Sequence, residues 1–307
     1  MEKEKRKKIL GAAALVLAAA LWGASYFALG KALEEYPVFF VLAFRFLFGG
    51  ALLLAVFHEK AFELKRRHVL LAALLALTLA AGYVLQAYGV KISSSASKAA
   101  VLSVGQCVLV PFLCFAFYKE KVSAYHVVAA IFGAAGAALM VLGGGFTLNR
   151  GDLLTVASGI FFAAQILVFK SLNDLGGAEG VLPLAFLFVG VLCGGISLGF
   201  ERADYVKISF AFADLLPLLL LCVAGTVFAQ ALQFYGQKRA SESEASFLLS
   251  LSAVFGVIAG AALGEPLTAR MLIGAGLVFV SAFICEVLPA IVKKRGEKEN
   301  DQTRGML

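Results

Sequence analysis

The side chains best suited to bind a small polar molecule lie at matching positions in two apolar stretches. Tyr83 and Gln86 are three residues apart, and Gln230 and Gln233 have the same spacing. Residues three apart share one face of a helix, so each stretch presents a pair of hydrogen-bonding groups on one side. A carboxamide exposed to lipid is costly, so these groups are expected to face protein, water or a solute. Such groups indicate a binding site rather than a catalytic one.

Other polar and aromatic residues extend this candidate site. Gln106 and Gln165 add two carboxamides within other apolar stretches, although some of the glutamines are expected only to bond neighbouring helices. Aromatic walls and a hydroxyl would come from Trp22, Ser25, Tyr26 and Phe234. Pockets for small molecules are mostly apolar with a few placed polar groups, and this mixture fits that pattern.

Arg45 is a basic residue within an apolar stretch. It lies eight residues beyond Pro37, about 12 Å along a helix and so close to the middle of a bilayer. An ionised group at that depth is expensive unless it faces protein or water, which marks a functional site by default. The alternative, which we favour, is that Arg45 satisfies carbonyl groups at a broken helix or loop and has a structural role.

Lys98 lies near the end of another apolar stretch. Its ammonium group either snorkels to the membrane surface or faces a cavity entrance, where it would attract a carboxylate or phosphate. The matching position in the second half is Ala245, so symmetry does not require the charge. The complete set predicted to bind substrate is Trp22, Ser25, Tyr26, Tyr83, Gln86, Lys98, Gln106, Gln165, Gln230, Gln233 and Phe234.

The sequence predicts no catalytic residues, no metal site and no cofactor. An intramembrane enzyme would need His, Asp or Glu side chains clustered at facing depths, and no such cluster is present. Carboxylates near the apolar stretches fall at their ends, at Glu120, Asp152, Glu265 and Glu286, and the histidines His58, His68 and His126 are near loops. This placement does not favour proton coupling; uniport, exchange or a coupling site at a helix end stay open.

The elements that position these residues are long apolar helices. The composition is 61% hydrophobic with a mean hydropathy of +0.90, and a bilayer core requires about 20 apolar residues per helix. Ten runs approach this length: 9–31, 37–57, 68–88, 94–118, 123–143, 152–172, 181–200, 213–236, 243–264 and 268–289. None alternates with the period of a β-barrel strand. The chain is therefore predicted to be an all-α integral membrane protein with ten transmembrane helices.

The net charge of +7 does not indicate a nucleic-acid partner, because the basic residues are concentrated in certain segments between the apolar runs. If the N-terminus is cytoplasmic, most basic residues fall on the cytoplasmic side, including the clusters at 3–8, 65–67 and 293–295. This is the positive-inside pattern. It predicts a multi-pass protein of the plasma (inner) membrane, with both termini cytoplasmic and membrane lipid as its surroundings.

The two halves of the sequence resemble each other. The segment from Gly89 to Lys91, followed by serines, recurs from Gly236 to Lys238, again followed by serines. Each half holds five apolar runs, and an odd number of spans places the second copy upside down in the membrane. The expected domains are a first five-helix repeat (1–147), a second, inverted five-helix repeat (148–292) and a disordered cytoplasmic tail (293–307).

In its motifs the chain resembles the EamA family of the drug/metabolite transporter superfamily over nearly its whole length. The resemblance rests on Trp22-Gly23, Arg45, Gln86 to Gly89, Ala96 to Ala100, Pro111, Glu120 and Gly264 to Thr268. One departure is Ser252-Ala253-Val254, where the family often has a proline. The resemblance implies a ten-helix carrier whose central cavity is lined by helices 1, 3, 4, 6, 8 and 9, with export the more frequent direction.

Together these features predict a secondary transporter of small organic metabolites that works by alternating access. The buried basic residues and amides favour zwitterionic or anionic solutes such as amino acids. A lipid flippase or scramblase and an importer of a small cationic metabolite are the alternatives. A primary pump is disfavoured because the sequence has no phosphate-binding GxxxxGK[ST] loop and no soluble nucleotide domain. No pattern in the chain assigns an oligomeric state.

The predicted topology has a direct test. Epitope tags at Met1 and Leu307 are expected to resist protease added to spheroplasts, because both ends lie on the cytoplasmic side. A tag inserted after Arg202, in an expected external loop, is the control and should be cleaved. Tags at the two termini that surface on opposite faces of the membrane would contradict the inverted arrangement.

Overall fold

The computed structural model describes residues 2–62, 64–93, 96–103, 105–119, 122–141, 149–175, 178–264 and 268–286. Within these residues the chain is helical apart from short connections, and no strand is present. This confirms the predicted all-α class. Lipid offers no partner to a backbone N–H or C=O, so a chain this apolar satisfies those groups within helices. The boundary at 147 and the tail 293–307 lie outside the described residues.

The described helices follow the apolar runs. They are α1 (Glu2–Glu35), α2 (Val38–Phe62), α3 (Arg66–Ser93), α4 (Ala96–Leu102), α5 (Gly105–Tyr118), α6 (Ala124–Val141), α7 (Arg150–Leu175), α8 (Ala178–Phe200), α9 (Phe212–Cys222), α10 (Ala229–Gln237), α11 (Glu242–Ser250), α12 (Ser252–Ala262) and α13 (Ala269–Glu286). A 3₁₀ helix (Arg202–Lys207) follows α8, and a π-helix (Val223–Phe228) joins α9 to α10.

Seven helical stretches in the described part of the chain are long and apolar enough to cross a membrane. They are Glu4–Glu35, Val38–Ala61, Arg66–Ser93, Arg150–Leu175, Glu179–Phe200, Phe212–Gln237 and Glu244–Ala262. Shorter apolar helices, Leu109–Tyr118, Ala124–Leu139 and Ala269–Ser281, occupy the predicted runs 94–118, 123–143 and 268–289. Every predicted run therefore contains an apolar helix, and the full count of ten membrane spans stays a prediction.

Two of the predicted runs are interrupted at the same place in each half. The break between α4 and α5 follows Leu102, and the break between α11 and α12 falls at Leu251. Ser103 and Ser250 both lie 14 residues beyond the matched glycines of the repeat. Each serine hydroxyl donates a hydrogen bond of 2.6 Å to the carbonyl three residues earlier, offering the backbone an alternative to the helix ladder. The second interruption thus forms without the proline that the family often carries there.

The predicted run 213–236 is helical throughout but contains the π-helix, which the sequence analysis missed. A π turn has hydrogen bonds to the fifth residue before, and such turns are frequent at functional sites. Here the Thr226 hydroxyl donates to the carbonyl of Leu221 at 2.9 Å. The local widening leaves the carbonyl of Gly225 able to accept bonds from side chains of other helices.

The most extensive helix contacts join one half of the chain to the other. Helix α2 packs on α8, α3 on α7, α6 on α13, and α1 on both α10 and α12. Helix α4 also packs on α12. The described helices therefore form one shared core, with each half supplying one member of every pair.

Glycines allow these helices to approach closely. A Cβ atom at Gly89 would lie 3.0 Å from the carbonyl oxygen of Gly151, and one at Gly236 would lie 2.8 Å from that of Gly11. The two pairs join α3 to α7 and α10 to α1. Because burial of apolar side chains adds little between helices in lipid, such backbone contact is a main source of packing energy there.

Gly23 provides a test of this packing. A Cβ at Gly23 would lie 2.6 Å from the carbonyl oxygen of Ser252 and 2.7 Å from the backbone nitrogen of Gly256, whereas one at Gly195 meets nothing within 4 Å. Gly23→Ala is expected to lower the free energy of unfolding by about 1–3 kcal/mol, since backbone atoms must shift. Gly195→Ala is the matched control and should be neutral or slightly stabilising, because alanine favours helix. Thermal unfolding in one detergent measures both; equal melting temperatures would contradict the prediction.

Candidate functional site

A cavity of about 460 Å³, counted together with its opening to solvent, lies among helices from both halves. Its lining consists of Trp22, Ser25, Tyr26, Arg45, Tyr83, Gln86, Ser103, Gln106, Phe162, Gln165, Gln233 and Ser252. Eight of these are residues that the sequence predicted for the site. We call this space the central cavity.

Helix α1 contributes an aromatic and hydroxyl wall. The indole nitrogen of Trp22 donates to the carbonyl of Gly225 at 3.0 Å, and the Ser25 hydroxyl donates to the Trp22 carbonyl at 2.8 Å. The Gln86 amide donates to the Tyr26 hydroxyl at 2.8 Å, which joins α3 to α1. These bonds hold the wall in one arrangement around the central cavity.

Three glutamines and a tyrosine form a buried network on the opposite side. The Gln165 amide donates to the side-chain oxygens of Gln230 at 3.0 Å and Gln233 at 3.3 Å. Gln230 in turn donates to the Tyr83 hydroxyl at 3.1 Å. Gln165 and Gln233 line the cavity, whereas Gln230 is fully buried behind them and links α10 to α3 and α7. Gln230 thus makes the helix-bonding contact expected for some of the glutamines.

Arg45 is 1% exposed and also lines the central cavity. Its Nε donates to the Thr226 hydroxyl, and its Nη2 donates to the Gly225 carbonyl at 3.1 Å. The guanidinium carbon lies 4.3 Å from the centre of the Tyr83 ring, a cation–π distance. Arg45 therefore satisfies a carbonyl at an irregular helical segment, and its side chain also lines the cavity; a functional role for it stays a prediction.

The electrostatic character of the cavity comes from this residue. Among the lining residues that the structure describes, Arg45 is the one permanently charged side chain, and none carries a carboxylate. A buried positive charge without a counter-charge favours an anionic group nearby. Its hydrogen bonds to Thr226 and Gly225 use two of the five N–H donors that a guanidinium possesses.

Ser103, Phe162 and Ser252 line the cavity but were not among the predicted site residues. A signal was available for Ser103, because its repeat equivalent is also a serine, Ser250. Phe162 packs edge-on against Tyr83 with ring centres 5.1 Å apart. No pattern in the sequence pointed to Phe162, since phenylalanine is common throughout the apolar runs.

The structure places Lys98 away from the central cavity. Its Nζ lies 2.5 Å from an Oδ atom of Asp152, which is fully buried at the start of α7. Asp152 also accepts hydrogen bonds from the Ser93 hydroxyl at 3.0 Å and the Asn149 backbone N–H at 2.8 Å. Lys98 therefore links α4 to α7, and its predicted contact with a solute stays a proposal.

Phe234 is the third predicted residue outside the lining, after Gln230 and Lys98. Its ring packs on Phe169 with centres 5.6 Å apart, and the Lys238 ammonium lies 4.8 Å from its centre. Phe234 is buried next to Gln233 in sequence but does not line the cavity. For metals, no group of three or more His, Cys, Asp or Glu side chains is close enough together among the residues searched.

Removing the hydroxyl that Arg45 contacts tests its structural role. Thr226→Val keeps the side-chain shape but removes both the acceptor for Arg45 and the bond to Leu221, so the free energy of unfolding is expected to fall by about 1.5–3 kcal/mol. Thr78→Val is the control, because the Thr78 hydroxyl bonds only the Leu75 carbonyl in its own helix at 2.9 Å. Chemical unfolding measures both; a Thr226→Val protein as stable as the control would contradict this account.

Comparison with known proteins agrees with the architecture. An uncharacterized transporter of Archaeoglobus fulgidus is 24% identical over 280 residues, which cover 91% of this chain and 86% of that protein. A solved crystal structure of a protein at 17% identity shares the fold, with a TM-score of 0.73 over 94% of this chain and 99% of the other. The EamA-like transporter family model matches twice, at residues 9–142 and 149–286. A chain that spans the membrane and matches this model in both halves belongs to the EamA-like transporter family, and it is a membrane transporter.

Proposed function

We propose that the protein is a secondary transporter that exports small organic solutes with an anionic or zwitterionic group, such as amino acids, across the plasma membrane. The observation that supports this most is the central cavity, which is built from both halves and contains a single guanidinium among neutral polar groups. A guanidinium binds a carboxylate through parallel hydrogen bonds. Neighbouring amides and hydroxyls can bind the remaining polar atoms of the solute.

The charge of the cavity separates the proposal from its alternatives. A cationic metabolite would enter a cavity that holds Arg45 and no described carboxylate, so its binding would depend on aromatic faces alone. A lipid flippase would need a polar groove open towards lipid. The polar lining residues instead surround a space between helices of both halves, which favours a soluble solute.

The transport cycle that we propose is alternating access between two inverted repeats, 1–147 and 148–292. In an inverted pair, α3 corresponds to α10 and α7 to α1, so the Gly89–Gly151 contact and the Gly236–Gly11 contact become equivalents at opposite membrane faces. This relation supports both termini lying on one side of the membrane, because ten spans return the chain to the side where it began; the distribution of basic residues favours the cytoplasmic side.

Ion pairs between the halves lie at corresponding helix ends. Lys98 at the start of α4 pairs with Asp152 at the start of α7, and Lys8 near the start of α1 pairs with Glu244 at the start of α11 at 3.3 Å. In the inverted arrangement these pairs close the outer and the cytoplasmic ends respectively. Each ion pair would have to separate when the central cavity opens to the side of the membrane on which that pair lies.

Transport assays test the role of the cavity. Arg45→Met and Gln233→Leu are expected to reduce uptake of accepted amino acids into proteoliposomes by about tenfold or more, because each removes charge-assisted or amide hydrogen bonds to the solute. Lys31→Gln is the matched control, since Lys31 is exposed and pairs only with Glu34 in the described surroundings of its helix. Its transport should equal that of the unmodified protein.

The outcomes of this assay are distinct. A panel of amino acids, nucleosides and quaternary amines shows which class the protein accepts; transport of quaternary amines alone would overturn the proposed charge preference. Undiminished transport by Gln233→Leu, with a melting temperature like that of the control, would remove this residue from the site. Movement of fluorescent lipids in place of solutes would support the flippase alternative.

A further inference from the structure

A second cavity opens at the end of the molecule where α1 begins. It measures about 1680 Å³ including its open mouth. We call it the basic vestibule, and it is lined by Glu4, Lys5, Lys7, Lys8, Lys170, Asn173, Asp174, Gln237, Lys238, Arg239 and Glu242. None of these residues lines the central cavity, and none was predicted to bind substrate.

The basic vestibule lies in line with the central cavity. Helices α1, α7 and α10 contribute to both spaces. Along α10, Gln233 lines the central cavity and Gln237, one turn further, lines the vestibule; along α7, Asn173 is about two turns beyond Gln165. A solute moving along these helices would pass from one space into the other.

A pair of phenylalanine rings lies between the two spaces. Phe169 is four residues beyond Gln165 and four before Asn173, and its ring packs on that of Phe234 at 5.6 Å. Both rings are buried. Along α7 and α10, buried apolar side chains therefore lie between the residues that line the vestibule and those that line the central cavity.

The vestibule lining has an excess of positive charge, with six basic and three acidic side chains. Some of the lysines are already paired: Lys170 lies 3.1 Å from Glu242, Lys8 lies 3.3 Å from Glu244, and Lys238 pairs with Glu179. Even with these pairs the lining is net positive. A concave surface with one predominant sign of charge concentrates solutes of the opposite sign.

Gln237 distinguishes this space from an ordinary charged surface. It is 5% exposed, and both its amide nitrogen and its amide oxygen are buried without a hydrogen-bond partner in the described part of the chain. The Asn173 side-chain oxygen is in the same condition. Leaving such groups unpaired costs about 1–3 kcal/mol each. The matching residue of the first half, in the register of Gly89 and Gly236, is the buried apolar Val90.

We propose that the basic vestibule is a binding site for the oxyanion group, carboxylate or phosphate, of a small soluble molecule. The Gln237 amide donates to the oxyanion beside the lysine ammonium groups. The oxygens of Gln237 and Asn173 accept from a hydroxyl or ammonium group of the same molecule. The idea that a cytoplasmic solute binds here before it enters the central cavity rests on the proposed function. The binding of an oxyanion in the vestibule does not.

Binding of inorganic phosphate tests the site. The full chain in phosphatidylcholine nanodiscs is titrated with phosphate at constant ionic strength, and heat release is measured. Saturable binding is expected in the unmodified protein, with affinity reduced about tenfold by Gln237→Leu or by the double variant Lys5→Gln/Lys7→Gln. Lys31→Gln, which changes the same charge at the other end of α1, should bind like the unmodified protein.

The remaining outcomes decide against the proposal or separate it from transport. Absence of saturable binding, or equal affinity in Gln237→Leu with an unchanged melting temperature, would overturn it. Loss of phosphate binding on adding phosphatidylglycerol to the nanodiscs would assign the site to a lipid headgroup instead of a solute. Phosphate binding is measured without transport, and the vestibule substitutions leave every lining residue of the central cavity in place, so failure of the central-cavity proposal and failure of this one are distinguishable.

Discussion

The centre of this protein depends on the burial of one guanidinium group. Arg45 is withdrawn from water at 1% exposure, and an ion so placed costs several kcal/mol unless its donors find partners. A regular α-helix has no free carbonyl to offer in mid-span. The π-helix Val223–Phe228 provides one at Gly225 and places the Thr226 hydroxyl beside it. The irregular segment and the buried cation therefore stabilise one another, and Trp22 joins them by donating to the same carbonyl.

Helix irregularities in this protein are concentrated around the central cavity. The break at Ser103, the break near Ser250 and the π-helix all lie next to lining residues, whereas α2, α3 and α7 are not broken beside the cavity. Non-helical backbone at membrane depth is tolerated only where protein or a polar cavity surrounds it. Such breaks also free backbone groups and allow parts of a helix to move separately, as carriers require.

The polar residues form two layers separated by apolar side chains. The glutamine network and Arg45 belong to the central cavity, and Gln237 with its lysines belongs to the basic vestibule beyond Phe169 and Phe234. Positive charge is present in both layers. A solute with an oxyanion group would find hydrogen-bond donors in each. The same arrangement disfavours cations at both positions.

The sequence alone determined the class of the protein and much of its centre. Apolar runs of bilayer length admit only helices, and polar side chains within them must turn inward, which is why eight of the eleven predicted residues line one cavity. Only the tertiary structure decided which neighbours those side chains meet. Lys98 pairs with Asp152 of a helix in the other half, and the Gln230 amide joins the glutamine network to the Tyr83 hydroxyl. Spacing along one helix defines a face, but partners across helices depend on how the helices rotate and pack, and glycine contacts between backbones set that packing here.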